Sequence, residues 1–220
     1  AQAAQLYYRS LHDTLTGLPN KKQLTNQLGK MLDDGKNITV VLLDVHGLRL
    51  INDSMGHDTG DGVLKHVAMR LRESLRYTDL VARMDGDQFM VVLDEMSLVG
   101  AIDVADRLLL VISRPYRMDG VELRLSSNAG VASSDTSTKD AVQLIREADL
   151  AVSRARRVGH NTWYKYTHEL SDEVEQRLII RNELQNAIDR GELALHYQPL
   201  VDGNMGRLVG MEALLRWTDP

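Results

Sequence analysis

The chain has 220 residues, 43% hydrophobic and 26% charged, with a net charge of −5 and no cysteine. Its length allows one large domain, or one domain plus part of another, with a core that needs no staples. The lack of thiols excludes disulfides, zinc–thiolate sites and cysteine nucleophiles, and fits a reducing cytoplasm. An acidic balance without a Lys/Arg run argues against a groove for polymeric nucleic acid. The longest apolar stretches, near 38–43 and 108–112, fall far short of the ~20 residues of a membrane span. No signal-peptide pattern opens the chain.

Residues 1–12 read as the end of an upstream helix, and 13–20, DTLTGLPN, as a Gly/Pro turn cluster. Asn20 caps a helix with Leu24, Leu28, Met31 and Leu32 on one face. The apolar, β-branched run 38–44 predicts a buried central strand ending at Asp44. Residues 46–57, with Gly47, Asn52 and Gly56, read as irregular. A helix is expected over 59–76, then strands at 80–84 and 87–93 joined by an Asp85-Gly86 hairpin turn. The pattern continues with a helix at 98–113, one strand over 121–133, a helix at 140–158 and a short strand at 162–166.

This order implies an α/β (α+β) fold, a central, mainly antiparallel sheet flanked by helices. Residues 167–190 predict a connecting helix, and 193–198 and 208–215 two further strands.

Asp44 ends a buried strand and Asp87 follows a tight turn. If the hairpin pairs beside the first strand, the two carboxylates converge at one rim. Two carboxylates plus substrate phosphates are the usual way to hold Mg²⁺, and two such ions can drive nucleotidyl transfer. The alternative is that Asp44 caps a helix and Asp87 solubilises a turn. Asn52 and Asp61 carry groups that read a purine edge; helix capping by Asp58 or Thr59, with Asp61 favoured by the dipole, is the plainer account. His46, His57 and His66 are not spaced as ligands. Met84, Met90 and Met96 read as core filler.

Seven segments together resemble GGDEF (diguanylate-cyclase-like) domains in order and spacing. They are DTLTGLPN at 13–20, LLDV at 42–45, IND to GHDTGD at 51–61, Arg76 to Asp79, the loop at 85–89, AGVA at 129–132 and ADLAVSRARRVGHN at 148–161. The resemblance covers about 13–166. It implies a nucleotidyl-cyclase palm-like, ferredoxin-related fold that condenses two GTP into cyclic di-GMP, with Mg²⁺ or Mn²⁺, in a homodimer. It implies catalytic and metal roles for Asp44 and Asp87, with the Val45 carbonyl assisting and Gln88 in the reactive loop. GTP would be held by Asn52, Asp61, Arg49, Gly86 and Arg156. Arg76 and Asp79, supported by Arg107, match a site that binds the product cyclic di-GMP.

The chain departs from the family pattern in the signature loop, which reads DGDQF. Asp85 stands where Gly is usual and would face a triphosphate, with repulsion of about 1 kcal/mol at 4 Å in water and about 4 at an effective dielectric of 20. Gln88 replaces a Glu, His46 a frequent Asp, and Leu48 a Phe; Arg49 and Arg156 stand where Lys is usual. The expectation is a domain that binds GTP and regulates a neighbour, with weak or no cyclase activity. An active cyclase and a silent dimerisation domain are the alternatives.

The last thirty residues, 191–220, resemble the start of an EAL domain, the cyclic-di-GMP phosphodiesterase barrel, through LALHYQPLVD at 193–202 and GMEALLRW at 210–217. There Glu212 matches a metal ligand, and Gln198 and Arg216 ligand contacts. A barrel takes roughly 250 residues, so the chain reads as a fragment of a longer GGDEF–EAL protein. Residues 193–217 are expected to be irregular or paired with another element or chain, because strands of an incomplete barrel expose unpaired edges.

Overall fold

The computed structural model describes residues 2–134, 140–203 and 205–218. The chain divides into two compact units, Ala1–Thr167 and His168–Pro220. The first unit contains α1 (Gln2–Leu11), α2 (Lys21–Asp33), β1 (Ile38–His46), α3 (Leu48–Met55), α4 (His57–Glu73), β2 (Leu80–Asp85), β3 (Gln88–Asp94), α5 (Leu98–Ser113), β4 (Tyr116–Met118), β5 (Val121–Leu123), β6 (Ser126–Ser133), α6 (Ala141–Val158) and β7 (Trp163–Lys165).

Five strands form the main sheet, in the order β2-β3-β1-β6-β7. All neighbours are antiparallel except β6 and β7. The central β1 is buried on both sides until its last residue, which accounts for its unbroken apolar run. Alternate residues feed two cores. Val41, Leu43 and Val45 join Phe89, Val91, Val63, Val67 and Leu108 on one face. Val40 and Leu42 join Met90, Leu24, Leu28, Leu144 and Val152 on the other. Met90 and Met96 are buried, as core filler should be.

Local chemistry sets the boundaries. Asn20 accepts a hydrogen bond from the Gln23 amide and starts α2. Asp140 does the same for α6 through Val142. Gly86 takes φ +50 in the turn between β2 and β3, the left-handed backbone that a tight hairpin requires.

The structure corrects four expectations. Residues 48–55, read as irregular, form α3. Its glycines sit at the ends as caps rather than inside as breakers, and Leu48 and Ile51 bury its apolar face. The strand expected over 121–133 is two elements, and β5 pairs with β4 across Asp119-Gly120. That is the same Asp-Gly hairpin signal read at 85–86. Helix α4 ends at Glu73 because the turn at 74–79 closes on itself: the Arg76 amide donates to Asp79 Oδ2 at 3.0 Å.

The fourth correction lies in the second unit, which holds α7 (His168–Arg190), β8 (Leu193–Val201) and β9 (Leu208–Trp217). The two strands expected at 193–198 and 208–215 are present, and among the described residues neither is irregular or paired with another element. β8 and β9 form their own two-stranded antiparallel sheet. Joined by a short polar turn, each strand satisfies the other's backbone locally. Leu195, Tyr197, Leu200, Met211 and Leu215 stay exposed on it. Among the described residues no helix is long and apolar enough to cross a membrane.

Candidate nucleotide-binding site

β1 delivers Asp44 to the rim of the sheet while leaving it 3% exposed. A buried carboxylate needs compensating partners, and three residues supply them. Arg156 of α6 donates from Nε to Asp44 Oδ2 at 2.6 Å, and its Nη2 lies 2.6 Å from Oδ1. His46 Nε2 lies 3.3 Å from Oδ2 and 2.8 Å from Asn128 Oδ1. Gln88 Nε2 makes a long contact of 3.5 Å with Oδ1. Sheet register explains the convergence, since Asp44 sits opposite Gln88 on β3 and Asn128 on β6.

Asp87 lies beside the same rim, with its carbonyl accepting from the Val45 amide at 3.1 Å. The residue is open to solvent on one side. Partial burial of its carboxylate, then the negative charge of Asp44, raise its pKa above the ordinary carboxylate value. The two acids thus feel one another, and the helix-capping alternative for Asp44 is set aside by its place in β1.

The turn itself is held from below. Arg83 donates from Nε and Nη2 to the Gly86 carbonyl at 3.0 and 2.6 Å, and from Nη1 to Asp13 Oδ1 at 3.1 Å. Asp13 also accepts from the Thr16 amide and hydroxyl. Partial burial alone would raise the Asp13 carboxyl, but these hydrogen bonds and Arg83 together hold it below the usual range.

On the α3/α4 face, Asn52 packs against the first turn of α4, at the residue preceding Asp61. A Cβ on Gly60 would lie 1.8 Å from Asn52 Oδ1, so only glycine admits this approach. Asn52 Oδ1 is buried and makes no hydrogen bond among the described residues. Arg49 is almost fully solvated, 3.8 Å from Asp53. His57 and His66 lie on α4, where His66 Nδ1 contacts the Gly62 carbonyl at 2.9 Å.

Arg76 and Asp79 line a cavity of about 580 Å³ with Leu18, Arg72 and Tyr77. Arg107 anchors to the Ser74 carbonyl at 3.0 Å, at the start of the same turn. In the second unit, Gln198 and Glu212 face each other in register, and Arg216 lies opposite Ala194.

Arg83, Asn128 and Asp13 carry the rim and the turn, yet sequence reasoning gave them no role. Asp13 was legible as part of a turn motif. Asn128 had no signal, because its position depends on strand pairing across 82 residues of sequence to His46.

Residues 10–162 match the family described as "Diguanylate cyclase, GGDEF domain". The chain belongs to the GGDEF-domain family. Residues 181–220 match the EAL domain, which places the chain among GGDEF–EAL proteins of cyclic-di-GMP signalling. It is 33% identical over 220 residues to the bifunctional diguanylate cyclase/cyclic di-GMP phosphodiesterase MucR of Pseudomonas aeruginosa, covering 98% of this chain and 32% of MucR. Against the cyclic di-GMP phosphodiesterase PdeR of Escherichia coli the identity is 30%, covering 94% of this chain and 32% of PdeR. The chain therefore spans about a third of the length of these relatives. The solved GGDEF domain of TpbB (YfiN) from Pseudomonas aeruginosa superposes with a TM-score of 0.71 at 32% identity, covering 74% of this chain and 99% of that one. The fold is that of the nucleotidyl-cyclase palm.

GGDEF domains generally use Mg²⁺ or Mn²⁺. The residues at this rim do not fit such an ion as they stand. Both Asp44 oxygens are engaged by one guanidinium.

Proposed function

We propose that this GGDEF domain binds a guanine nucleotide at the rim of its sheet and regulates an adjoining EAL domain, with little or no cyclase activity. Asn52 and Asp61 would read the base, and the exposed Arg49 with Arg156 would meet the phosphates at the Gly86 turn. One observation carries the reading: the Asp44 carboxylate is already paired, through both oxygens, with Arg156. The neighbouring substitutions reinforce it. Asp85 adds negative charge beside the turn, and Gln88 offers an amide where a carboxylate would favour a cation. Arg76, Asp79 and Arg107 around their cavity make a candidate seat for cyclic di-GMP, since an arginine fork suits a phosphate or a guanine edge. Retention of Gln198, Glu212 and Arg216 supports a working EAL neighbour in the whole protein, and a nucleotide ligand goes with a cytoplasmic location.

The test is incubation of the purified protein with GTP and Mg²⁺, followed by chromatography for cyclic di-GMP. Product at background level is expected, unchanged in Asp87→Ala. Robust product abolished by Asp87→Ala would overturn the regulatory reading. It would favour the active cyclase, a homodimer, for which the electrostatic proximity of Asp44 and Asp87 speaks. Calorimetry with GTP and with cyclic di-GMP separates a binding module from a silent dimerisation domain.

A further inference from the structure

We infer that Arg156 is the resident cation of this site: its guanidinium takes the place at Asp44 that a divalent metal would need, and guanine nucleotide binding is thereby independent of metal. The inference rests on the nucleotide reading above, but its first test needs no nucleotide.

The geometry is that of a fork on a carboxylate, with Nε and Nη2 each 2.6 Å from a different Asp44 oxygen. A planar guanidinium makes two parallel, charge-assisted hydrogen bonds in this way, whereas an ammonium acts as one point charge. Asp44 is nearly inaccessible to water, so the pair is little screened on the carboxylate side. The Arg156 side chain is 42% exposed. Guanidinium carries five N–H donors, so donors remain for a phosphate while Asp44 is held.

The rest of the rim has lost groups that would compete for a metal. Gln88 reaches Asp44 with an amide nitrogen at 3.5 Å. His46 spends Nε2 between Asp44 and Asn128. Asp87 and, in the same loop, Asp85 are then the nearby carboxylates without a cationic partner at hydrogen-bond distance among the described residues. An octahedral ion demands several oxygen ligands in fixed directions. To enter, it must evict the guanidinium or lie against a like charge. Eviction leaves the Arg156 charge to solvent and re-forms every contact of Asp44.

Titration of the purified protein with Mn²⁺, read by electron paramagnetic resonance in the absence of nucleotide, decides this. The wild type is expected to bind weakly. Arg156→Ala should bind Mn²⁺ about tenfold more tightly or better, because a like charge about 4 Å away has been removed. Arg156→Lys, which keeps the charge but loses the fork, should fall between them and stands in if the alanine variant does not fold. Adding Asp44→Asn to Arg156→Ala should cancel the gain. Mn²⁺ affinity in Arg156→Ala equal to or below that of the wild type would overturn the inference, since a general loss of packing gives that result and the eviction of a competitor does not. Calorimetry with GTP forms the second arm. Affinity in EDTA within about threefold of that in Mg²⁺, less than 1.4 kcal/mol, is expected, and a strict Mg²⁺ requirement would overturn metal independence. Failure of GTP to bind in either condition removes the nucleotide reading, while the Mn²⁺ series still decides the place of Arg156.

Discussion

The two ends of the rim are built differently. The end assigned to the base lies on the α3/α4 face, where the Asn52 side chain lies so close to Gly60 that an added Cβ would have to push its amide aside. The end assigned to the phosphates is made of charged side chains on strand ends and on α6, joined by hydrogen bonds. On the proposed reading the family pattern would be kept at the first, in Asn52 and Asp61, and altered at the second, in His46, Asp85, Gln88 and Arg156. The contrast teaches where a nucleotide site can change without loss of the fold. Close packing of helices fixes the first end, whereas exchangeable charges at a solvent edge can be replaced while β1 stays where the core puts it.

Four substitutions sharpen or break this comparison. Gly60→Ala has the largest expected effect. The added Cβ forces the Asn52 amide to move, lowering stability by about 1–3 kcal/mol and GTP affinity by about tenfold or more. Thermal unfolding and calorimetry read both. Unchanged GTP affinity would separate Asn52 from the base. Arg83→Ala removes the ties from the signature turn to Asp13 and should cost about 2 kcal/mol, in the range for hydrogen bonds to charged groups. Denaturant unfolding measures it, and a loss near zero would show that the turn holds itself.

Gln88→Glu returns a carboxylate to a position 3.5 Å from Asp44. Folding stability should fall by about 1 kcal/mol through like-charge repulsion, while Mn²⁺ affinity rises; no rise in Mn²⁺ binding would mean that the phosphate end is limited by something other than its missing acid. The smallest effect is in pH dependence. The Asp13 pKa is lowered on folding from about 3.8, so its ionised form stabilises the protein above that pH. That contribution is lost as the pH falls through 3.8 toward the folded value. Asp13→Asn should be less stable than the wild type at pH 6, by about 1 kcal/mol, and the gap should close in acid. Unfolding curves across the pH range give the slope; a gap that persists in strong acid would assign the loss to packing instead.

Local chemistry was enough for much of the fold. The unbroken run of β1, the Asn20 cap and the Asp85-Gly86 turn were each legible from a few adjacent residues. Where local reading failed, it failed on ambiguous punctuation. Gly47 and Gly56 bracket α3 rather than interrupt it, and the Asp119-Gly120 turn, just ahead of the strand expected at 121–133, was not read as a hairpin signal. The strands β8 and β9 were legible at 193–198 and 208–215; what local pattern did not show is that they pair with each other and leave only their outer edges open.

The sequence by itself determined the order of helices and strands, the family pattern and the two carboxylates at strand ends, because periodicity and turn chemistry act over a few residues. Only the tertiary structure decided what surrounds Asp44. Arg156 stands 112 positions away and donates to its carboxylate; Asn128 is its partner in register on the neighbouring β6. Those contacts depend on sheet order and on how α6 lies across β1, and long-range packing of that kind leaves no mark in local spacing.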